Sequence, residues 1–499
     1  METRSAKRRK LRNHNHESNT CQEDRITDLP DAVLHHILTL LPIKYIVKTS
    51  ILSKRWRSLW YTFPDLDFTS LIPYGTKLTE YVTLSNIASV ITNILSLRDK
   101  FLNSDVRILR FGAYLSFSGL HALARNAVRL GVLELDISVA TEDIFNFPRS
   151  LITHDSLRVL KVKSTPGFRL PPSKIMRSGF QTLRELSLFQ VKQDKQSSLL
   201  DMFTDSSFPQ LRKLCFDSCL DLKHLRVGCR LLKELVIENC SLLQGLEVLS
   251  PKLEILRVWN CFQYYNDIKT WLQIDSMRLH TFVWTYNSVP RKTCMQNLVC
   301  LHEVKLSFTF ATVVYEHRDS NKLQCLSDFL SGLSHAESLT LKSPLVEGMS
   351  RNNPLANTVF QSFKKLKSLE LHSSNVTCLA SVLKVCPMIH TLTINAYNPL
   401  KGQTILRDLR SSWEEHQWES QLKDLKPLLC YLKVVKIHGI NDNDINLVKF
   451  LLKHGMFLQD IILYLRGHKS QSCNRHEKLI SRITRLSRAS VDAKLAFHY

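Results

Sequence analysis

From about residue 29 the apolar positions fall at helical spacing. After Pro30, the residues Leu34, Ile37, Leu38 and Leu41 recur at i, i+3, i+4 and i+7, one stripe of a short helix. A proline at its start costs nothing, because the missing N–H would have no partner there. Pro42 ends this helix and opens a second, in which Ile43, Ile46, Val47 and Ile51 make the next stripe. Ser53 reads as the N-cap of a third helix carrying Trp56, Leu59, Trp60 and Phe63, stopped by Pro64. Trp56 and Trp60 lie four apart on one face, whereas Lys54 and Arg55 fall off the stripe and can stay wet. Three helices in about forty residues are too few to bury all this surface internally, so the remainder must meet the rest of the chain or a partner.

Further on, the pattern changes to a repeat of L-x-x-L-x-L form. It runs through LRVLKV at 157, LRELSL at 183, LRKLCF at 211, LKELVI at 232, LEILRV at 253, LHTFVW at 279 and LHEVKL at 301. It continues as ESLTL near 337, LKSLEL at 366 and IHTLTI at 389. The first seven starts are separated by 26, 28, 21, 21, 26 and 22 residues, the period of a leucine-rich repeat. Such a repeat places a short strand in each rung and buries its apolar face only by stacking on its neighbours. LKHLRV at 222 and LQGLEV at 243 fall midway between rungs, which predicts a strand-like return there and two ladders back to back. Cys219, Cys240 and Cys261 lie 21 apart, the repeat period itself, so they read as small buried thiols at the Asn/Cys position rather than as a metal or redox row. VRILRFG at 106 and LGVLELDI at 130 read as irregular first rungs.

After Trp413 the register changes again. YLKVVKI before Gly439 and LQDIILYL read as strands, with Ile445, Val448, Leu451 and Leu452 forming a helical stripe between them. EKLISRITRLSRAS then places Leu479, Ile480, Ile483 and Leu486 on one helical face and Arg482, Arg485 and Arg488 opposite. A docked terminal helix with a wet basic face is expected; a membrane- or calmodulin-binding helix is the alternative.

Two of these stretches resemble known modules. DLPDAVLHHILTLLP, TSILSKRWRSLW and FPDLDF together resemble a plant-type F-box over about residues 24 to 68. The resemblance implies docking on a Skp-type adaptor and, through it, on a cullin. It implies that Leu29, Pro30, Leu34, Ile37, Leu38, Leu41, Pro42, Val47, Ser50, Leu52, Ser53, Trp56, Leu59 and Trp60 either contact that adaptor or pack the helices. Since tryptophan is enriched at interfaces, at least one of the two indoles is expected on the adaptor-facing surface. Ile46 departs from the family pattern, which often has alanine there. LKVVKIHG and LVKFLLKHG resemble the FBD domain that follows plant F-box and leucine-rich-repeat regions, over about residues 413 to 465, with NDND and LQDI as deviations.

The expected fold is α/β: a three-helix F-box, a leucine-rich-repeat solenoid of short strand ladders with mixed strand and helix returns, and a small C-terminal α+β FBD-like domain. The divisions are a disordered basic tail at 1–22, the F-box at 23–68, a helical linker or cap at 69–105 and repeats at 106–400. A linker at 401–425, the FBD-like domain at 426–465 and a basic helix and tail at 466–499 follow.

At 499 residues, 44% apolar and 22% charged, the chain is globular in composition and large enough for several domains or an elongated repeat. It shows no run of apolar residues of membrane-spanning length and no secretion-signal core at its start, so a nuclear or cytoplasmic protein without membrane contact is expected. Thirteen scattered cysteines read as reduced thiols. Cys215 with Cys219 and Cys473 with His476 lack a second pair at zinc-finger spacing, and no metal or cofactor is expected. The formal charge is +22, of which residues 1–20 hold a net +4 and residues 466–499 a net +6. Lys7, Arg8, Arg9 and Lys10 form a candidate nuclear-import patch or simply a solvated tail.

No phosphate loop, nucleophile elbow or HExxH motif occurs, and His35-His36 and Glu414-Glu415-His416 read as solvated side chains, so the expectation is a non-catalytic adaptor. On the leading reading this is the substrate-recognition subunit of a Skp–cullin–F-box ubiquitin ligase, its repeats holding a target protein. The alternatives are a small-molecule-dependent receptor of the same architecture and a basic nucleic-acid-associated protein. Against the last, no base-reading motif or aromatic ladder accompanies the charge.

Overall fold

The computed structural model describes residues 26, 28–72, 81–99, 105–177, 179–192, 202–263, 269–309, 320–342, 345, 346, 349, 353–372, 382–385, 389–395, 429–440, 445–465 and 473–498. The Lys7–Lys10 patch and Glu414-Glu415-His416 lie outside them, as does the whole of the expected 401–425 linker.

Three short helices open the described chain: α1 (Asp31–Thr39), α2 (Ile43–Thr49) and α3 (Lys54–Thr62). Pro30 and Pro42 stand directly before α1 and α2, and the Ser53 hydroxyl accepts from Trp56 N at 3.3 Å, the expected N-cap of α3. Leu34 and Leu38 of α1, Ile43 and Ile46 of α2, and Trp56, Leu59, Trp60 and Phe63 of α3 point inward. The extra bulk of Ile46 is thus accommodated in the core. A fourth helix, α4 (Tyr81–Asp99), follows within the expected linker and packs on the strand Ile108–Tyr114.

The repeat triplets all become strands. Asp65–Asp67 pairs with Ile108–Tyr114, which pairs with Glu134–Ala140, and the ladder proceeds in parallel, one rung per triplet, to Thr391–Asn395. Inward positions form continuous apolar rows, for instance Leu160, Leu186, Leu214, Leu235 and Leu256, all essentially inaccessible. Where the early returns are irregular, phenylalanines fill the core: Phe147, Phe180, Phe208, Phe203 and Phe216 pass ring to ring at 5.1–6.2 Å.

Between residues 203 and 296 a second, 5-stranded parallel ladder forms behind the first, as the half-period triplets predict. Trp271–Asp275 and Lys292–Gln296 belong to it without carrying the leucine motif. Gly245 is required there: a Cβ would lie 2.2 Å from the Trp271 indole, which extends over it and stacks on His224 at 6.2 Å. Later returns are helical, including Ser320–Ser331 and Asn353–Ser362, so the returns are mixed as expected.

Two boundaries differ from expectation. Asp65–Asp67, assigned to the F-box, is the first rung of the ladder. The 426–465 region is not a separate sheet: Val434–Ile440 pairs with Thr391–Asn395, Asp460–Leu465 pairs with Val434–Ile440, and Lys494–His498 adds a further rung. An open parallel edge at residue 395 leaves backbone donors and acceptors unpaired, and continuing the ladder satisfies them. The helix Cys473–Thr484 docks through Leu479 and Ile483 as expected, whereas the strand that follows it falls in what read as tail. No helix among the described residues is long and apolar enough to cross a membrane.

Candidate functional site: the F-box surface and the open face of the ladder

The F-box residues divide into two sets once folded. Leu34, Leu38, Trp56, Leu59 and Trp60 are buried within the chain; Trp56 and Trp60 retain 9% and 8% exposure. The expectation that one indole faces outward is therefore corrected: both serve the core. For Trp60 the reason lies outside the F-box sequence. Arg98 of α4 is buried, stands over the Trp60 ring at 5.1 Å, and donates at 2.6 Å each to the carbonyls of Trp60 and Phe63 at the end of α3. A cation at the carbonyl end of a helix satisfies groups that have no intrahelical partner. Burial pushes the Arg98 guanidinium down to about 10, a value that keeps it charged at neutral pH. Arg55 also departs from its expected wet position. Its guanidinium bonds Leu29 O and Asp31 Oδ1 at 2.5 and 2.7 Å, tying the start of α3 to the start of α1.

The outward set is Pro30, Ile37, Leu41, Pro42, Val47, Leu52 and Ser53, with Leu29 and Ser50 half-buried. Leu52 is 70% exposed, and beside this set stand apolar side chains that helical periodicity missed or placed inward: Leu40 at 74% and Ile51 at 80% exposure, with Val33 and Tyr45 also exposed. Ile51 leaves the α2 stripe because α2 ends at Thr49; tight turns, with Ile51 N on Lys48 O and Leu52 N on Thr49 O, then swing both side chains outward. Lys44, Lys48, Lys54 and Arg57 are exposed around this patch. So many large apolar side chains left exposed on three short helices, among lysines and an arginine, is the composition of a protein interface.

The second surface is the face of the long ladder turned away from the core. Trp259 is 38% exposed near its middle, edge-on to Tyr286 at 6.2 Å, and Lys342 lies over Tyr286 at 5.7 Å. On later rungs Glu370 accepts from Thr340 at 3.2 Å and from Asn395, with His372 Nε2 at 2.8 Å. The His372 contact holds the Glu370 carboxyl below its ordinary range. His438 stacks on Tyr464 at 4.1 Å, and Tyr464 on His498 at 5.1 Å. Exposed and half-buried indole, phenol and imidazole rings of this kind are what protein-recognition surfaces use.

The cysteine row is structural. The Cys261 thiol donates to Trp259 O at 3.1 Å, and Cys240 to Glu238 O at 3.3 Å, each following an asparagine in the left-handed conformation. Their burial and neighbouring thiols hold Cys219 and Cys240 protonated, and burial pushes Cys229 up to about 12. No group of three or more potential metal ligands occurs among the described residues. Cys473, at the start of its helix, has no described side chain, so the Cys473–His476 pair lies outside what can be placed.

Comparison with known proteins agrees with both surfaces. The F-box domain model matches residues 26–67, and the model described as the At1g61320/AtMIF1 LRR domain matches residues 106–309. An F-box/FBD/LRR-repeat protein of Arabidopsis thaliana is 39% identical over the full length of both chains. Another F-box/FBD/LRR-repeat protein of that plant is 24% identical over 88% of this chain and 88% of its own. An F-box/LRR-repeat protein is 32% identical over 48% of this chain and 76% of its own length. With an F-box that leaves an apolar patch uncovered and a repeat ladder that offers a long recognition face, this chain has the build of a substrate adaptor and belongs to the F-box/FBD/LRR-repeat family of plant proteins.

Proposed function

We propose that the chain is the substrate-recognition subunit of a Skp–cullin–F-box ubiquitin ligase, bound to a Skp-type adaptor by its F-box and to a target protein by the open face of its repeats. The observation that carries this reading is the patch around Leu40, Ile51 and Leu52, which stays uncovered although α3 is fully seated against the rest of the chain. Docking a partner there recovers roughly 1.5–3 kcal/mol for each large aliphatic side chain buried. The rim of Lys44, Lys48, Lys54 and Arg57 calls for carboxylates around the matching surface of the adaptor. The chain itself contributes proximity: a target held on the repeats meets the ubiquitin-loading module at a high effective concentration. The setting of this work is the nucleus, the cytoplasm or both.

Ile51→Asp with Leu52→Asp tests the reading. The double variant is expected to fold, because both side chains are already in solvent, and to weaken capture of a purified Skp-type adaptor by at least about a hundredfold in a titration, two buried anchors at roughly 1.4 kcal/mol per tenfold. Undiminished capture refutes the reading.

A further inference from the structure

We propose that Arg158, Arg184 and Arg212, which stack at the leading edge of three successive repeat strands, form the docking surface for an acidic, Asp/Glu-rich segment of the target protein. This rests on the reading that the repeats hold a target, and it names the chemistry of that target.

The three residues occupy the second position of L-x-x-L in LRVL, LREL and LRKL. Arg184 N bonds Arg158 O at 2.7 Å and Arg212 N bonds Arg184 O at 2.7 Å, so the three backbones stand one strand spacing apart, about 4.8 Å. All three side chains are exposed. At three other rungs a cation of this row meets a carboxylate: Arg107 pairs with Asp65, Lys233 with Glu254 at 2.7 Å and Lys367 with Glu337 at 2.9 Å. Arg158, Arg184 and Arg212 have no carboxylate within ion-pair distance among the described residues. Like charges facing one another on adjacent strands oppose folding, so a row of three unpaired arginines is a cost that an anionic partner removes.

The surroundings strengthen the field. Residues 157–192 contain eight lysines and arginines against Glu185 alone, a net +7 within 36 residues. Lys161, Lys163 and Arg169 of the strand Val159–Arg169 are exposed beside the row. Arginine also matches carboxylates in a way lysine does not, through two parallel N–H donors.

The occupant is a polypeptide rather than a nucleic acid because the next row along the same strands is mixed: the neutral Val159, the acidic Glu185 and the basic Lys213 stand beside the three arginines. Glu134, Val159, Glu185, Lys213 and Glu234 lie in register on successive rungs. A nucleic-acid backbone laid on the arginines would bring further phosphates against Glu185, which follows Arg184 directly. A peptide can place acids on the arginines and neutral or basic residues on the neighbouring row. Three rungs span about 10 Å, which an extended segment crosses in about three residues at roughly 3.3 Å each, so three consecutive or closely spaced acids suffice.

The test uses the full chain and fluorescence anisotropy with a labelled decapeptide containing four consecutive glutamates, alongside a charge-reversed lysine peptide and a twenty-base-pair DNA duplex. Arg158→Gln/Arg184→Gln/Arg212→Gln is compared with Arg125→Gln/Lys252→Gln/Lys364→Gln, three exposed cations off the row and the same change in net charge. The row variant is expected to weaken acidic-peptide binding at least about tenfold and to reduce its salt dependence, the control less than about twofold. Its melting temperature is expected to be unchanged or higher, since repulsion is removed. Equal loss in both variants, or a duplex that binds more tightly than the peptide and is lost with the row, overturns the proposal. Capture of the Skp-type adaptor is measured on the same variants and is expected to be unchanged by either. A failure of the F-box reading therefore appears there, and a failure of the arginine row only in the peptide titration.

Discussion

Asn287 shows how single side chains fix the turns of the ladder. Its Oδ1 accepts from the backbone N–H groups of Cys261 and Phe262 at 2.7 and 3.0 Å, and its Nδ2 donates to Val258 O and Thr285 O at 2.8 and 3.1 Å. The side chain is fully buried and bridges two rungs. Asn287→Ala leaves these backbone groups without partners and is expected to cost about 2–4 kcal/mol, read as a lowered urea midpoint with an unchanged slope. The regular cysteines at 219, 240 and 261 are legible in the sequence because their interval equals the repeat period. Asn287 is not, because a register shift between Thr285 and Asn287 moves it off the motif. Trp60 teaches the converse: its helical face is plain from spacing, but what lies over its ring is Arg98, nearly forty residues away in sequence.

At the level of elements, α3 and α4 decide how the F-box is held on the repeats. The two Arg98 hydrogen bonds and its stacking on Trp60 join the helices, and α4 in turn packs on the strand Ile108–Tyr114. Arg98→Met keeps the bulk and removes the donors. It is expected to destabilise by about 1–3 kcal/mol, less than a typical buried-charge deletion because no unpaired charge remains. Hydrogen exchange is the discriminating measurement: α3 and α4 are expected to lose protection while the strands from Glu185 onward keep theirs. The three F-box helices, the N-cap at Ser53 and the linker helix are readable from apolar spacing and prolines. The outward turn of Ile51 and Leu52 is not, since helical phase no longer applies once α2 has ended.

Across the whole molecule, ionisable groups held in the interior set the response to acid. Burial pushes His154, His224 and His438 below the ordinary histidine value of 6.5, while contact with His372 holds Glu370 below the ordinary 4.5. A histidine depressed in the folded state is protonated first in the unfolded chain, which then binds more protons, so stability falls as pH drops below about 6.5. A depressed carboxyl contributes stability above about 4.5 that is lost as pH falls through its folded value, the same sign at a lower pH. Urea midpoints are expected to decline from pH 8 to pH 5, with His154→Gln flattening the fall; below that range burial raises the Asp136 and Glu238 carboxyls, which opposes the loss from Glu370. Midpoints that rise from pH 8 to pH 5 would contradict these directions.

The rungs that carry the leucine motif and their order were determined by the sequence, because apolar alternation and period are local properties that each strand carries by itself. The same holds for the existence of the F-box helices. Tertiary structure decided what lies between distant segments. It seated the Trp60 indole under Arg98, carried the ladder through the C-terminal region to His498, and left Ile51 and Leu52 in solvent. It also brought Arg158, Arg184 and Arg212, about 26 to 28 residues apart in the chain, to within one strand spacing of each other. Burial and ion pairing depend on such neighbours, and no periodicity within one segment specifies which residue of another will face it.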